Sequence, residues 1–302
     1  MARRSGLPGS RPRCFRYRVP VARVVQLPDR GKLLVATDLQ GNVRDFRRVA
    51  ELYEAAVSES PEGALLVVTG DLVHGPEIPA SMWPDYLGSY YHADSATLLG
   101  EARELAERHP GRVIYLLGNH EHAHVGGPVV SKFFPDEAGR LDAILGPERS
   151  AAIRAWFTEW PLVAYARRAG LCMLHGAPSA GITRASDLDL ARLDTHDDFE
   201  QPVDEILAGI LWARTTSTVR ARAFLQAIDP ELSVAVYGHD VVREGYTIDR
   251  EPLLCISTSF GCFDGDKVYL EWDLAERAES AYQLAARGLR PLYPTATSVY
   301  RA

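Results

Sequence analysis

Short, almost wholly apolar runs recur along this chain, each closing on glycine or on a polar residue, and several lead into a helical period. Leu33, Leu34, Val35, Ala36 and Thr37 form the first such run. It ends at Asp38, and after Gly41 and Asn42 the apolar positions Phe46, Val49, Ala50 and Tyr53 recur at helical spacing from Val43 to about Val57. The pattern predicts a strand, a turn and a helix. It returns with a strand from Ala64 to Thr69 ending at Gly70 and Asp71, a helix from Ala96 to Arg108, and a strand from Arg112 to Leu117 ending at Gly118, Asn119 and His120. Continuous apolar runs of this length suit strands buried on both faces, and in open α/β sheets ligands bind beyond the C-terminal strand ends.

The second half reads differently. Leu162 to Ala166 and Leu171 to Leu174 flank Arg167 to Gly170 as a hairpin whose second arm ends at His175 and Gly176. Helices are expected around Val203 to Arg214 and Thr218 to Ile228. A strand from Ser233 to Tyr237 ends at Gly238 and His239, and Tyr246 to Ile248, Leu253 to Ser257 and Lys267 to Trp272 complete a second, more antiparallel sheet. The fold class expected is α/β.

With 302 residues and 46% hydrophobic content the chain has ample material for one large core. Its net charge of −7 argues against a general affinity for nucleic acid or anionic lipid. Only Lys32, Lys132 and Lys267 are lysines, and the other basic residues are arginines. Seven arginines from Arg3 to Arg23, interleaved with Gly and Pro, mark residues 1–30 as a basic, flexible arm. No window of about 18 apolar residues occurs, so no membrane span is expected and the address is cytoplasmic. The four cysteines Cys14, Cys172, Cys255 and Cys262 show neither C-x-x-C nor zinc spacing and are expected to be reduced. Residues 31–277 are assigned to one catalytic domain and 278–302 to a tail.

An Asp after a strand is commonly a helix cap, and a buried His is commonly held by the backbone. Here Asp38, Asp71, Asn119, His175 and His239 all stand directly after apolar strands. Five coincident strand ends bearing oxygen and nitrogen ligands are hard to account for as caps.

In order, these motifs resemble those of the calcineurin-like metallophosphoesterase superfamily, D-x-H-G, G-D, G-N-H-E, H-G and G-H, over residues from about 33 to 274. Within it the likeness is nearest to the phosphoprotein phosphatase family of serine/threonine phosphatases, through Ile210-Leu211-Trp212, His239 to Tyr246 and Ser259 to Asp264. The resemblance implies a four-layer α-β-β-α sandwich of mixed sheets in a single domain. It implies two divalent cations, Mn foremost with Fe, Zn or Mg as alternatives, and Asp71 bridging them. Asp38 and Gln40 fall to the first ion, and Asn119, His175 and His239 to the second. Carboxylates and imidazoles suit such ions, which lower the pKa of water and clamp phosphoryl oxygens. His120, beside Asn119, takes the place of the general acid.

Two departures stand out. Gln40 occupies a position where the family has His. The family's G-D-x-V-D-R-G is here Gly70-Asp71-Leu72-Val73-His74-Gly75, without the Asp that orients the catalytic His or the Arg that grips phosphate. His74 is a candidate for one of these tasks, and Arg214 and Arg220 are candidate phosphate ligands. His122 and His124 extend the histidine-rich strip, but alternate positions in a loop point different ways. The insertion from Gly75 to about Ala96, with Trp83, Tyr86, Tyr90 and Tyr91, is either a substrate rim or packing beneath a loop. Three functions follow: a phosphatase acting on phosphorylated protein, a hydrolase of small nucleotides such as dinucleoside polyphosphates, and a non-catalytic phosphate-binding module.

Overall fold

Alternate residues of the strands fall into two separate cores. Leu33, Val35, Leu65 and Val67 pack with Leu171, Met173, Val234, Val236, Leu254 and Ile256. Leu34, Ala36, Leu66 and Val68, one residue out of step, pack instead with Phe46, Val49, Tyr53, Leu98 and Leu105, while Cys172, Leu174 and Ala235 share that second cluster with Phe224 and Leu225. Because successive side chains leave a strand on opposite faces, this split describes two sheets stacked face to face with helices outside both.

The computed structural model describes residues 22–60, 62–194 and 204–301. Its strands are β1 (Val24–Gln26), β2 (Lys32–Ala36), β3 (Ala64–Val68), β4 (Val113–Tyr115), β5 (Val163–Ala166), β6 (Leu171–Leu174), β7 (Val234–Tyr237), β8 (Tyr246–Thr247), β9 (Leu253–Ile256), β10 (Val268–Asp273) and β11 (Leu289–Pro291). The helices are α1 (Val43–Glu59), α2 (Ser95–Arg108), α3 (Asn119–His122), α4 (Glu137–Leu145), α5 (Pro147–Phe157), α6 (Glu205–Leu207), α7 (Thr218–Ile228) and α8 (Ala281–Gly288). One sheet runs β11-β10-β2-β3-β4 and the other β1-β5-β6-β7-β9-β8. The mixed α/β architecture in a single domain is the one the motifs implied, and no described helix is long and apolar enough to cross a membrane.

Several expectations need correction. The second sheet is not chiefly antiparallel, since β1 with β5, β6 with β7 and β7 with β9 are parallel pairs. The run from Lys267 to Trp272 does not join it. As β10 it crosses to the first sheet, placing Leu270 beside Val35 in antiparallel register. Its pull is a buried charge network: Lys267 Nζ lies 2.7 Å from Asp45 Oδ2 and 2.9 Å from Asp264 Oδ1, and Tyr293 donates to Asp45 at 2.7 Å. Within the segment read as an arm, Val24–Gln26 pairs with β5, while residues 1–21 lie outside the described residues. The tail supplies α8 and β11, which borders β10. The helix expected from Val203 to Arg214 is one α turn followed by a π turn at Ala208–Trp212, and Val203 is outside the described residues.

Candidate active site

Asp38 follows β2, Asp71 follows β3, Asn119 and His120 open α3 beyond β4, His175 follows β6 and His239 follows β7. The two sheets are laced together at these ends. Thr37 N donates to Thr258 Oγ1 at 3.0 Å, Thr37 Oγ1 donates to the Ile256 carbonyl at 2.9 Å, and His239 N donates to Asp38 Oδ2 at 3.0 Å. Gly238 permits this approach, because a Cβ there would sit 2.1 Å from Asp38 Oδ2. All five non-glycine residues with positive φ among the described residues, Asp38, Gln40, Asp71, His74 and His239, belong to this neighbourhood. Each such conformation costs about 1–3 kcal/mol and is characteristic of functional sites.

Asp71, His175 and His239 are buried, and one ligand atom from each lies within 4.8 Å of the others. His175 Nδ1 lies 2.9 Å from the Thr69 carbonyl, an acceptor only, so Nδ1 carries the hydrogen and Nε2 a lone pair. That lone pair faces Asn119 Oδ1 at 2.9 Å, His239 Nδ1 at 3.1 Å and Asp71 Oδ1 at 3.4 Å. With His239 in its Nε2–H tautomer the converging atoms are all acceptors, an arrangement that a cation among them would satisfy. The donor set of one carboxylate, one amide oxygen and two imidazoles therefore fits a borderline divalent ion.

Electrostatics agrees. Burial, then the His175 ring, pushes His239 down to about 3, and burial lowers His175 despite Asp71. Burial, then the charge of Asp71, raises the Asp38 carboxyl to about 8. Burial alone would raise Asp71 too, but His175, then His120 and His239, pull it below the usual carboxylate range. A cation near Asp38 would favour the charged form of its carboxyl.

His120 is buried, with Nε2 3.7 Å from Asp71 Oδ2 and Nδ1 3.1 Å from Glu137 Oε2. Burial would lower its pKa, but Asp71 and then Glu137 lift it above the ordinary histidine value. Glu121, missed as a site residue in the sequence, accepts from the backbone N–H groups of Asp71, Leu72, Val73 and Gly118 at 2.9, 2.7, 3.3 and 3.1 Å. It fixes the turn that aims Asp71. The E of G-N-H-E was its only signal.

The remaining candidates are placed as follows. Gln40 presents Nε2 to Asp71 Oδ2 at 3.5 Å and Oε1 to Lys132 Nζ at 3.3 Å. Arg214 pairs with Asp240 and donates to the His239 carbonyl at 3.3 Å, at the rim of the cluster. Arg220 is exposed on α7, and among the described residues no hydrogen bond or ion pair joins it to the cluster. His74 is buried against His124, Nε2 to Nε2 at 2.8 Å, while His122 turns to the Leu193 carbonyl at 2.9 Å. Within the insertion, Trp83 packs on Tyr90 and Tyr91, and Tyr91 donates to the Gln40 carbonyl at 3.1 Å. Tyr86 instead lines a cavity of about 590 Å³ with Leu87, Lys132, Phe133, Arg243 and Phe260.

Comparison with solved structures returns low-identity likenesses. A cold-active protein-tyrosine phosphatase from a psychrophilic Shewanella is 15% identical, with 82% of this chain and 76% of that one covered at a TM-score of 0.54. A serine/threonine phosphatase from Saccharomyces cerevisiae is 17% identical, with 83% and 76% covered at a TM-score of 0.48. A putative diadenosine tetraphosphatase is 19% identical, with 83% and 94% covered at 0.42. At such identities the likeness speaks for the fold alone. No protein with a curated description matches. A family model described as calcineurin-like phosphoesterase matches residues 31–271, the stretch that carries every strand-end residue above, and the chain belongs to the calcineurin-like phosphoesterase family.

Proposed function

We propose that this family member is a phosphomonoesterase acting on phosphoserine or phosphothreonine in proteins, with two divalent cations, Mn foremost, held by Asp38, Gln40, Asp71, Asn119, His175 and His239. The observation that carries the reading is the convergence of Asp71, Asn119 and His239 on His175 Nε2 beside a buried His120 that Asp71 and Glu137 lift above the ordinary histidine value. Divalent cations supply water activation and neutralise phosphoryl oxygens. Asp71 and His175 orient the donor cluster, and His120 delivers a proton to the leaving oxygen. Arg214, at the rim, meets the incoming phosphate.

The aromatic cavity beside Lys132 favours a second reading, hydrolysis of a small nucleotide whose base stacks on Phe133 or Phe260. Rates of the Mn-loaded protein on a phosphoserine peptide and on diadenosine tetraphosphate decide between them. A higher kcat/KM for the peptide is expected. A higher value for the dinucleotide overturns the protein-phosphatase assignment, and no turnover of either, nor of nitrophenyl phosphate, leaves a binding module.

Gln40 offers an amide oxygen where imidazole is usual. Gln40→His should lower the Mn concentration for half-maximal turnover by roughly tenfold. A Mn titration of both proteins is the check, and an unchanged or higher requirement means that Gln40 serves Lys132 and not a cation.

A further inference from the structure

In the phosphoprotein phosphatases that this chain resembles, the second motif supplies a carboxylate that orients the catalytic histidine and an arginine that grips phosphate, and this chain lacks both. The structure shows why neither task is met locally. At Gly75, where the arginine would stand, a Cβ would lie 2.1 Å from the Gln40 carbonyl oxygen and 2.7 Å from Ala93 Cβ. His74, in place of the carboxylate, is committed to His124 at 2.8 Å, and its ring centre is 5.7 Å from that of His120.

We propose that the segment from Lys132 to Glu137 supplies both missing groups, with Glu137 as the positioning residue for His120 and Lys132 as the phosphate-binding cation. The proposal rests on the phosphoesterase reading above.

Glu137 opens α4 and is 1% exposed. Its Oε1 accepts from Phe133 N at 2.6 Å, which pins the loop carrying Lys132, and its Oε2 faces His120 Nδ1 at 3.1 Å. Both facing atoms are fully buried and without a hydrogen-bond partner among the described residues, so the close ion-pair contact between them is the one polar approach each makes there. A carboxylate against Nδ1 holds the hydrogen there and turns Nε2 toward Asp71 and the reacting centre.

Lys132 is exposed at the mouth, yet it does not wave in solvent. Its ammonium sits 4.0 Å from the Phe260 ring centre and 3.3 Å from Gln40 Oε1. An ammonium has three donors, and Gln40 takes one, leaving two for an anion in the cleft. Lys267, which is buried, is already neutralised by Asp45 and Asp264.

The test uses the full-length Mn-loaded protein with inorganic phosphate as inhibitor and with phenyl and 2,4-dinitrophenyl phosphate as substrates. Lys132→Met should weaken phosphate inhibition by roughly tenfold or more, and Lys132→Arg should restore most of it. Glu137→Gln should slow phenyl phosphate turnover by on the order of 10²-fold and dinitrophenyl phosphate far less, because a good leaving group needs little protonation. Bound metal should match wild type in all three. Unchanged phosphate inhibition in Lys132→Met, or an equal loss on both substrates in Glu137→Gln, overturns the assignment of that residue. Should Glu137→Gln melt early, Glu137→Asp carries the same test, with the same unequal loss expected and an equal loss overturning it. A wild-type protein that turns over neither substrate fails the phosphoesterase reading itself, whereas active wild type with unaffected variants fails this inference alone.

Discussion

Asp71→Asn is expected to lower phosphoester turnover by on the order of 10³-fold, with loss of bound metal in proportion. The carboxylate stands at the centre of the cluster, 3.4 Å from His175 and 3.7 Å from His120, and it also accepts from His120 N at 3.2 Å. An amide of the same shape keeps the volume but removes the charge, and its NH2 presents a donor that cannot ligate. The fold should survive, because the Asp71 turn is held by Glu121 through backbone groups that the substitution leaves in place. Metal content and steady-state rates measured together are decisive. Wild-type turnover in Asp71→Asn, or in protein stripped by a chelator, would remove the metal-dependent reading.

His120→Asn should produce a loss that depends on the leaving group: roughly 10²-fold or more for an alkyl phosphate, and far less for nitrophenyl phosphate. Asp71 and then Glu137, against burial, lift the imidazole above its ordinary pKa, which favours its protonated form. That proton matters only where the departing oxygen is basic. A series of phosphoesters graded by leaving-group pKa gives the slope, and a uniform loss across it would make His120 a structural residue instead.

Strands and the candidate ligands at their ends were legible in the sequence where the signal was local. Asp38, Asp71, His175 and His239 each follow their own apolar run, so the ends of the strands could be read without knowing which strand lay beside which. Partnership was not legible. The run before Trp272 carries the same apolar signature whichever sheet it joins, and its pairing with β2 goes with a contact between Lys267 and Asp45, which lie far apart in the sequence. Val24–Gln26 is a three-residue edge strand next to an arginine-rich stretch, too short to show a period. Lys132 and Glu137 lie in a loop and at a helix start, where charged residues ordinarily face solvent, so only three-dimensional proximity to Gln40 and His120 distinguishes them. The π turn at Ala208–Trp212 likewise shares its apolar spacing with an ordinary helix.

The seam between β2 and β10 also sets an order of events. A nascent chain emerges with β2, β3 and β4 long before β10 exists, so the first sheet leaves the ribosome with the edge beside Asp38 unpaired. Closure of so distant a contact carries a large loop entropy and is slow relative to local helix formation. The bonds from Thr37 to Thr258 and from Asn42 to Ser259 lie on the same late-arriving segment. The bonds that steady the Asp38 turn from this side therefore form only once that segment has been made.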